Sequence, residues 1–243
     1  MRAAASLVLV RDSAQGPEIL LVQRGNSGDF PGLHVFPGGL VDAGDADPRL
    51  LAASRRDADS ADRLLNTTPA LPAFIAAVRE CLEETGVLPG DVPARPGWQQ
   101  ALLARELGFA DLAERENLQL ATDRIGYFSH WITPVGIPRR YDTRFFVARM
   151  PDGQPVTVDG REAVRADWLT ARDALAAHAA GELKLIFPTI RNLEALTEFA
   201  TVDALLAHAA QVRPVPAVLP RLVNRGADGM RLLLPGDAGY DDP

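Results

Sequence analysis

Hydrophobic and polar positions alternate in recognisable blocks along the chain. Residues 3–10 (AAASLVLV) and 18–23 (EILLVQ) are short apolar runs flanking the turn-rich RDSAQGP, and they predict a hairpin. A glycine-rich loop over 25–39 ends in FPGG. Residues 46–70 are Asp/Arg-rich without a strong apolar stripe, which predicts an inserted surface segment. LPAFIAAVRECLEET (71–85) is the clearest helix, with Gly86 as its stop. WQQALLARELGFADLAERENL predicts two helices, IGYFSHWITP and RYDTRFFVARM two strands, and VRADWLT another. LTARDALAAHAAGEL and PTIRNLEALTEFATVDALLAHAAQ are helical, with Pro188 just inside a helix start. The tail predicts a strand, a turn at Gly226–Gly229 and a strand. Strands and helices mix without a regular βαβ period, which favours an α/β or α+β fold around a mixed sheet. No composition break splits the chain. One domain over 1–243 is expected, with an insertion at 46–70 and C-terminal helices plus a terminal strand pair over 171–243.

On a helical wheel with Glu80 at zero, Glu84 falls near 40° and Glu83 near −60°, at about 100° per residue. Leu71, Phe74, Ile75, Val78, Cys81 and Leu82 fill the opposite arc between about 100° and 220°. Three like charges at i, i+3 and i+4 repel one another. On a solvated face that repulsion is tolerable; around a divalent cation it becomes an asset, because hard Mg²⁺ or Mn²⁺ takes oxygen ligands. Cys81, the single cysteine, lies on the apolar stripe and reads as a core residue rather than a nucleophile.

Composition narrows the classes. Net charge is −7 over 243 residues, which disfavours a nucleic-acid partner. One cysteine excludes a Cys-based zinc site. One lysine, Lys184, excludes a phosphate loop of the G-x-x-x-x-G-K type. No apolar run reaches the roughly 18 residues of a membrane span. The opening MRAAASLVLVRDS is read as a first strand rather than a leader, and the closing GYDDP matches no peroxisomal or retention signal. A cytoplasmic location is expected, with no membrane and no nucleic-acid partner; a homodimer stays open.

Arg79-Glu80-Cys81-Leu82-Glu83-Glu84-Thr85-Gly86-Val87 matches R-E-U-x-E-E-x-G-U, where U is a bulky apolar residue. This resembles the second half of the Nudix box. The first half, G-x5-E, is met by Gly39 and, with Asp in place of Glu, by Asp45. The box separates that acid from the Arg by seven residues; here 46–78 intervene. ILLVQRGNSGDFPGLHVFPGGLVDAGD, HWITPVGIPRRYDTRFFVAR, REAVRADWLTARDA and RLLLPGD are similar to the Nudix subgroup with a long insertion inside the box, which includes coenzyme A diphosphatases.

The resemblance implies a Nudix-type α/β/α sandwich and metal-dependent hydrolysis of a small-molecule diphosphate, with Mg²⁺ or Mn²⁺ as cofactor. It implies Glu80, Glu84, Glu83 and the Gly39 carbonyl as metal ligands, and Arg79 as the residue that orients the carboxylates. Glu83 and Glu162 are the two candidates for the general base. Coenzyme A or acyl-coenzyme A is the first substrate class. The common coenzyme A signature has an Arg between LLxxR and FPGG, and GNSGDFPGLHV has none. ADP-ribose, nucleotide sugars and dinucleotides therefore stay open, as does a non-catalytic nucleotide-binding regulator. The cluster Arg139, Arg140 and Arg144 is the expected replacement phosphate contact, and His34 a further substrate contact. Trp131 and Tyr141 are read as core residues before adenine-stacking ones.

Overall fold

The computed structural model describes residues 1–25, 31–224 and 230–241. Its spine is β1 (Arg2–Arg11), whose alternation sends Leu7 and Leu9 to one side and Val8 and Val10 to the other. β1 runs parallel to β6 (Tyr141–Arg149) from Arg2↔Tyr141 to Val10↔Arg149. Its other edge is shared. β2 (Glu18–Arg24) pairs with it antiparallel only at Val10↔Ile19 and Arg11↔Glu18, closing the predicted hairpin. β4 (Gly38–Leu40) takes over at Ala4, Ala5 and Ser6. Beyond that parting β2 carries β3 (His34–Val35) and β7 (Ala163–Thr170). β5 (Gly126–Ile132) and β8 (Ala217–Val218) complete the eight-stranded mixed sheet on the far side of β6.

Helices cover both faces. On the Leu7/Leu9 side lie α3 (Leu71–Thr85), α4 (Trp98–Leu103), α5 (Phe109–Arg115) and two insertion helices, α1 (Pro48–Ala53) and α2 (Ala58–Leu65). On the Val8/Val10 side lie α6 (Ala171–Ala179), α7 (Phe187–Leu196) and α8 (Val202–Ala209). This is the expected α/β/α sandwich. The long helical stretch expected after Pro188 is interrupted: Thr201 accepts a hydrogen bond from the Ala204 N–H and starts a separate helix. β9 (Arg221–Asn224) and β10 (Met230–Leu233) form a two-stranded sheet of their own; the turn expected at Gly226–Gly229 lies outside the described residues. Among the described residues no helix is long and apolar enough to cross a membrane.

The insertion is not the surface excursion its composition predicts. Leu50, Ala61, Leu64 and Leu65 are buried in the same core as α3. Asp62 in α2 also accepts hydrogen bonds from the Ala70 N–H at 2.8 Å and the Thr68 hydroxyl at 2.7 Å, anchoring the start of α3. Helices of six and eight residues are too short for their few apolar positions to show a period.

Candidate functional site

The site lies where the sheet parts, beneath the C-terminal half of α3. Gly86 ends that helix in the left-handed region at φ 69°, which glycine adopts without a Cβ penalty. Gln99 donates to the Glu83 carbonyl at 3.0 Å, satisfying a last-turn acceptor. The acidic face predicted for α3 is present, but it is not solvated. It packs on β4: a Cβ on Gly39 would lie 2.4 Å from the Glu80 carboxyl carbon, so glycine is what lets that carboxylate lie against the strand backbone. The Gly38 N–H donates to Glu84 Oε2 at 2.9 Å.

Arg79 organises the cluster. Its Nε and one terminal nitrogen donate to the two oxygens of Asp45 at 2.8 and 3.1 Å. The same terminal nitrogen donates to the Leu40 carbonyl. The other reaches Glu80 at 2.8 Å and Glu83 at 3.0 Å. Asp45, only 1% exposed, also accepts from the Asp42 N–H at 2.7 Å. Burial alone would lower the Arg79 guanidinium, but Asp45, Glu80 and Glu83 outweigh it and hold it above its ordinary range.

The carboxylates show the opposite balance. Burial pushes Glu84 up to about 8, helped by the charge of Glu80 and opposed by the Gly38 hydrogen bond. Burial pushes Glu80 up to about 7 despite Arg79, and it raises Glu83 as well. One guanidinium does not compensate this much buried negative charge, and all the donors are hard oxygens. In kind, the set fits a divalent cation. Among the described residues no three His, Cys, Asp or Glu side chains stand in metal-holding geometry; Glu80 and Glu83 each turn an oxygen to Arg79 instead.

Two cavities meet at these carboxylates. One, about 650 Å³, opens past Gly38 and Gly39 onto the α7 side of the sheet and is largely apolar. The other, about 580 Å³, lies on the insertion side and is rimmed by charged residues including Arg49, Arg105 and Asp111. Glu80, Glu84 and Glu162 line both. Glu162 is exposed, and its charge raises Glu83 and Glu84. Glu80, Glu83, Glu84, Arg79, Gly39 and Glu162 are therefore brought together.

The expected substrate contacts are not. In β6, Arg144 alternates with Phe145 and shares the face of Phe146, which belongs to the α3-side core. Arg144 lies 3.5 Å from Asp142, which also contacts His130. Arg140 donates to the Thr133 carbonyl at 3.0 Å, and Arg139 is exposed beyond the strand. None of the three lines either cavity; the neighbouring Tyr141 and Thr143, on the opposite face, do. His34 is 4% exposed, bridges to Leu185 and lines neither cavity; burial lowers its pKa. Sequence reasoning missed Arg24, the last residue of β2. It lines the apolar cavity beside Glu84, its charge lowers Glu84, and its buried Nε has no partner among the described residues. Its signal was its place closing the LLVQR segment.

No protein-family model matches the chain. The chain is 30% identical over 275 residues to the acyl-coenzyme A diphosphatase NUDT19 of Homo sapiens, covering 93% of this chain and 73% of that protein. Against the acyl-coenzyme A diphosphatase NUDT19 of Gallus gallus it is 31% identical over 306 residues, covering 100% and 80%. A crystal structure of a Nudix hydrolase from Alicyclobacillus acidocaldarius superposes with a TM-score of 0.70 at 29% identity, covering 88% of this chain and 98% of that one. The chain belongs to the Nudix hydrolases. As a Nudix hydrolase it keeps the helix half of the box intact, and the insertion splits that half from Gly39–Asp45. The fold closes that split, because Asp45 and Arg79 meet across the insertion.

Proposed function

We propose that this Nudix hydrolase cleaves the diphosphate link of coenzyme A or an acyl-coenzyme A with Mg²⁺ or Mn²⁺. The observation that carries the reading is the pairing of half-buried Glu80 and buried Glu84 with the bare backbone of Gly38–Gly39 at the junction of two cavities. Two relatives named acyl-coenzyme A diphosphatases, matching nearly the whole chain, support the substrate class.

Glu80, Glu84 and Glu83, with the Gly39 carbonyl, would hold the cation. The chemistry it supplies is neutralisation of diphosphate charge and acidification of water. Arg79 positions Glu80 and Glu83 through charge-assisted hydrogen bonds, and Asp45 positions Arg79. Glu162 takes the proton of the attacking water: it faces the shared mouth and makes no ion pair among the described residues, whereas Glu83 is engaged by Arg79. Arg24 contacts a phosphoryl oxygen through its unpartnered Nε.

The test is a panel of diphosphates with Mg²⁺ or Mn²⁺, in which cleavage of coenzyme A yields an adenosine bisphosphate and a phosphopantetheine. Turnover of ADP-ribose or nucleotide sugars alone would overturn the substrate class. Tight binding with no turnover of any of them would identify a non-catalytic module.

A further inference from the structure

We infer that the apolar cavity receives the acyl-bearing arm of the substrate, and that the terminal β9–β10 hairpin sets the chain length it admits. The inference rests on the coenzyme A reading above.

The cavity changes character along its length. At the carboxylate end its wall is Glu80, Glu84, Arg24 and the glycine backbone. Beyond them it is lined by Phe36, Trp131, Phe145 and Phe187. Thr133, Thr143 and Thr189 punctuate that wall, which suits an arm carrying amides as well as methylenes. Its volume, about 650 Å³, lies in the range of sites that bury most of a ligand. The second cavity has the opposite chemistry. Arg49 there is tied to Asp47, Asp111 and Glu114, while Arg105 has no ion pair among the described residues. A diphosphate at the carboxylates thus has an apolar side and a charged side. An alkyl thioester gains by entering the first. The second, lined by nine carboxylates and three arginines, offers it no such gain.

The outer wall of the apolar cavity comes from outside the main sheet. Leu222 of β9 and Leu232 of β10 are direct cross-strand partners, and both line the cavity. Paired residues share one face of an antiparallel ribbon, so the hairpin presents a leucine pair to the cavity. Both side chains are half-buried, so their size can change without emptying the core.

The experiment compares Leu232→Trp and the double variant Leu222→Ala/Leu232→Ala with the wild type. Substrates are coenzyme A, its hexanoyl, decanoyl and palmitoyl esters, and ADP-ribose, with circular dichroism melts to verify folding. Leu232→Trp should lower kcat/KM for the decanoyl ester roughly tenfold relative to coenzyme A, since each excluded methylene forfeits its transfer free energy. The double alanine variant should move the preference to longer chains, and it decides the matter alone if Leu232→Trp fails to fold. Equal changes across coenzyme A and all its esters, or no change in any, would overturn the inference. So would a parallel fall for ADP-ribose, which would place the nucleotide end in this cavity. Calorimetric binding of decanoyl-pantetheine, weakened by Leu232→Trp, reads the cavity without turnover. Binding of that arm by a wild type that cleaves no coenzyme A ester would sink the functional reading and leave the cavity assignment standing.

Discussion

Asp45 and Arg79 are 34 positions apart, yet they share a two-pronged ion pair with hydrogen bonds of 2.8 and 3.1 Å. Asp45 is 1% exposed and the Arg79 side chain 11%, so this pair works in a desolvated setting. Removing Asp45 would strand two Arg79 donors and the Asp42 N–H, although Glu80 and Glu83 would still face the guanidinium. Asp45→Ala should therefore cost about 1–3 kcal/mol of stability, the usual penalty for leaving buried donors without an acceptor. Turnover should fall with it, because Arg79 also fixes Glu80 and Glu83. Chemical denaturation with an unchanged m-value and a lower midpoint would confirm the cost; a midpoint equal to the wild type's would refute it.

Glu84→Gln should behave in the opposite way. Glu84 is buried, and its charge is penalised both by that burial and by Glu80. The amide removes the charge at nearly constant volume and can still accept the Gly38 N–H. Metal-free stability should stay level or rise, while turnover with Mg²⁺ or Mn²⁺ falls by several orders of magnitude, as loss of metal-assisted charge stabilisation implies. Near-normal turnover would mean that Glu84 holds no part of the catalytic cation.

The same burial gives the metal-free protein a pH signature. Glu84 titrates at about 8 in the folded chain against 4.5 as its ordinary value. Between those values the folded state holds a proton that the unfolded state has released. Stability of the chelated protein should therefore fall as pH rises from 4.5 through about 8. Mg²⁺ or Mn²⁺ should flatten that slope, and Glu84→Gln should remove its Glu84 part. Melts in chelator at pH 5, 6, 7 and 8 measure it; a flat profile would show that the cluster is not proton-loaded.

The sequence shows some of this and hides the rest for identifiable reasons. The α3 helix is legible because fifteen residues carry one apolar stripe, an early proline and a terminal glycine. The burial of its acidic face is not, because the covering strand β4 is distant in sequence and periodicity reads only local order. In RYDTRFF (140–146), alternation shows that Arg140, Asp142 and Arg144 share a face, but not which face borders a cavity. Only the tertiary pairing assigns Tyr141 and Thr143 to it. Arg24 is a lone cation at a strand end until its unpartnered Nε and the nearby carboxylates appear together.

Core residues in the insertion yield a packing prediction. Leu50 is 1% exposed and sits in the α3-side core. Leu50→Ala should cost about 2–5 kcal/mol through lost burial and a residual cavity. Replacing 48–68 by a Gly/Ser linker should destabilise further, since it also removes Leu64, Leu65 and the Asp62 anchor of α3. A deletion variant melting with the wild type would restore the segment to the status of a surface loop.

Gly39 supplies the sharpest test of how strand and helix cooperate. An added Cβ would lie 2.4 Å from both the Glu80 carboxyl carbon and its Oε1, closer than packed atoms sit. The clash falls on the end of a side chain, so Gly39→Ala is relieved by swinging Glu80 away rather than by moving backbone. The fold should survive with a small loss in melting temperature. The displaced carboxylate loses its hydrogen bond to Arg79 and its place beside Glu84. Misplacing a catalytic group by about 1 Å can cost a hundredfold in rate. Gly39→Ala should therefore lower kcat roughly a hundredfold with little effect on KM, because the substrate's outer contacts are untouched. Raising Mg²⁺ or Mn²⁺ should recover part of the rate, since the lesion weakens cation binding and leaves the rest of the cavity in place. An alanine variant with wild-type kcat and metal dependence would show that Glu80 and Gly39 do not act together.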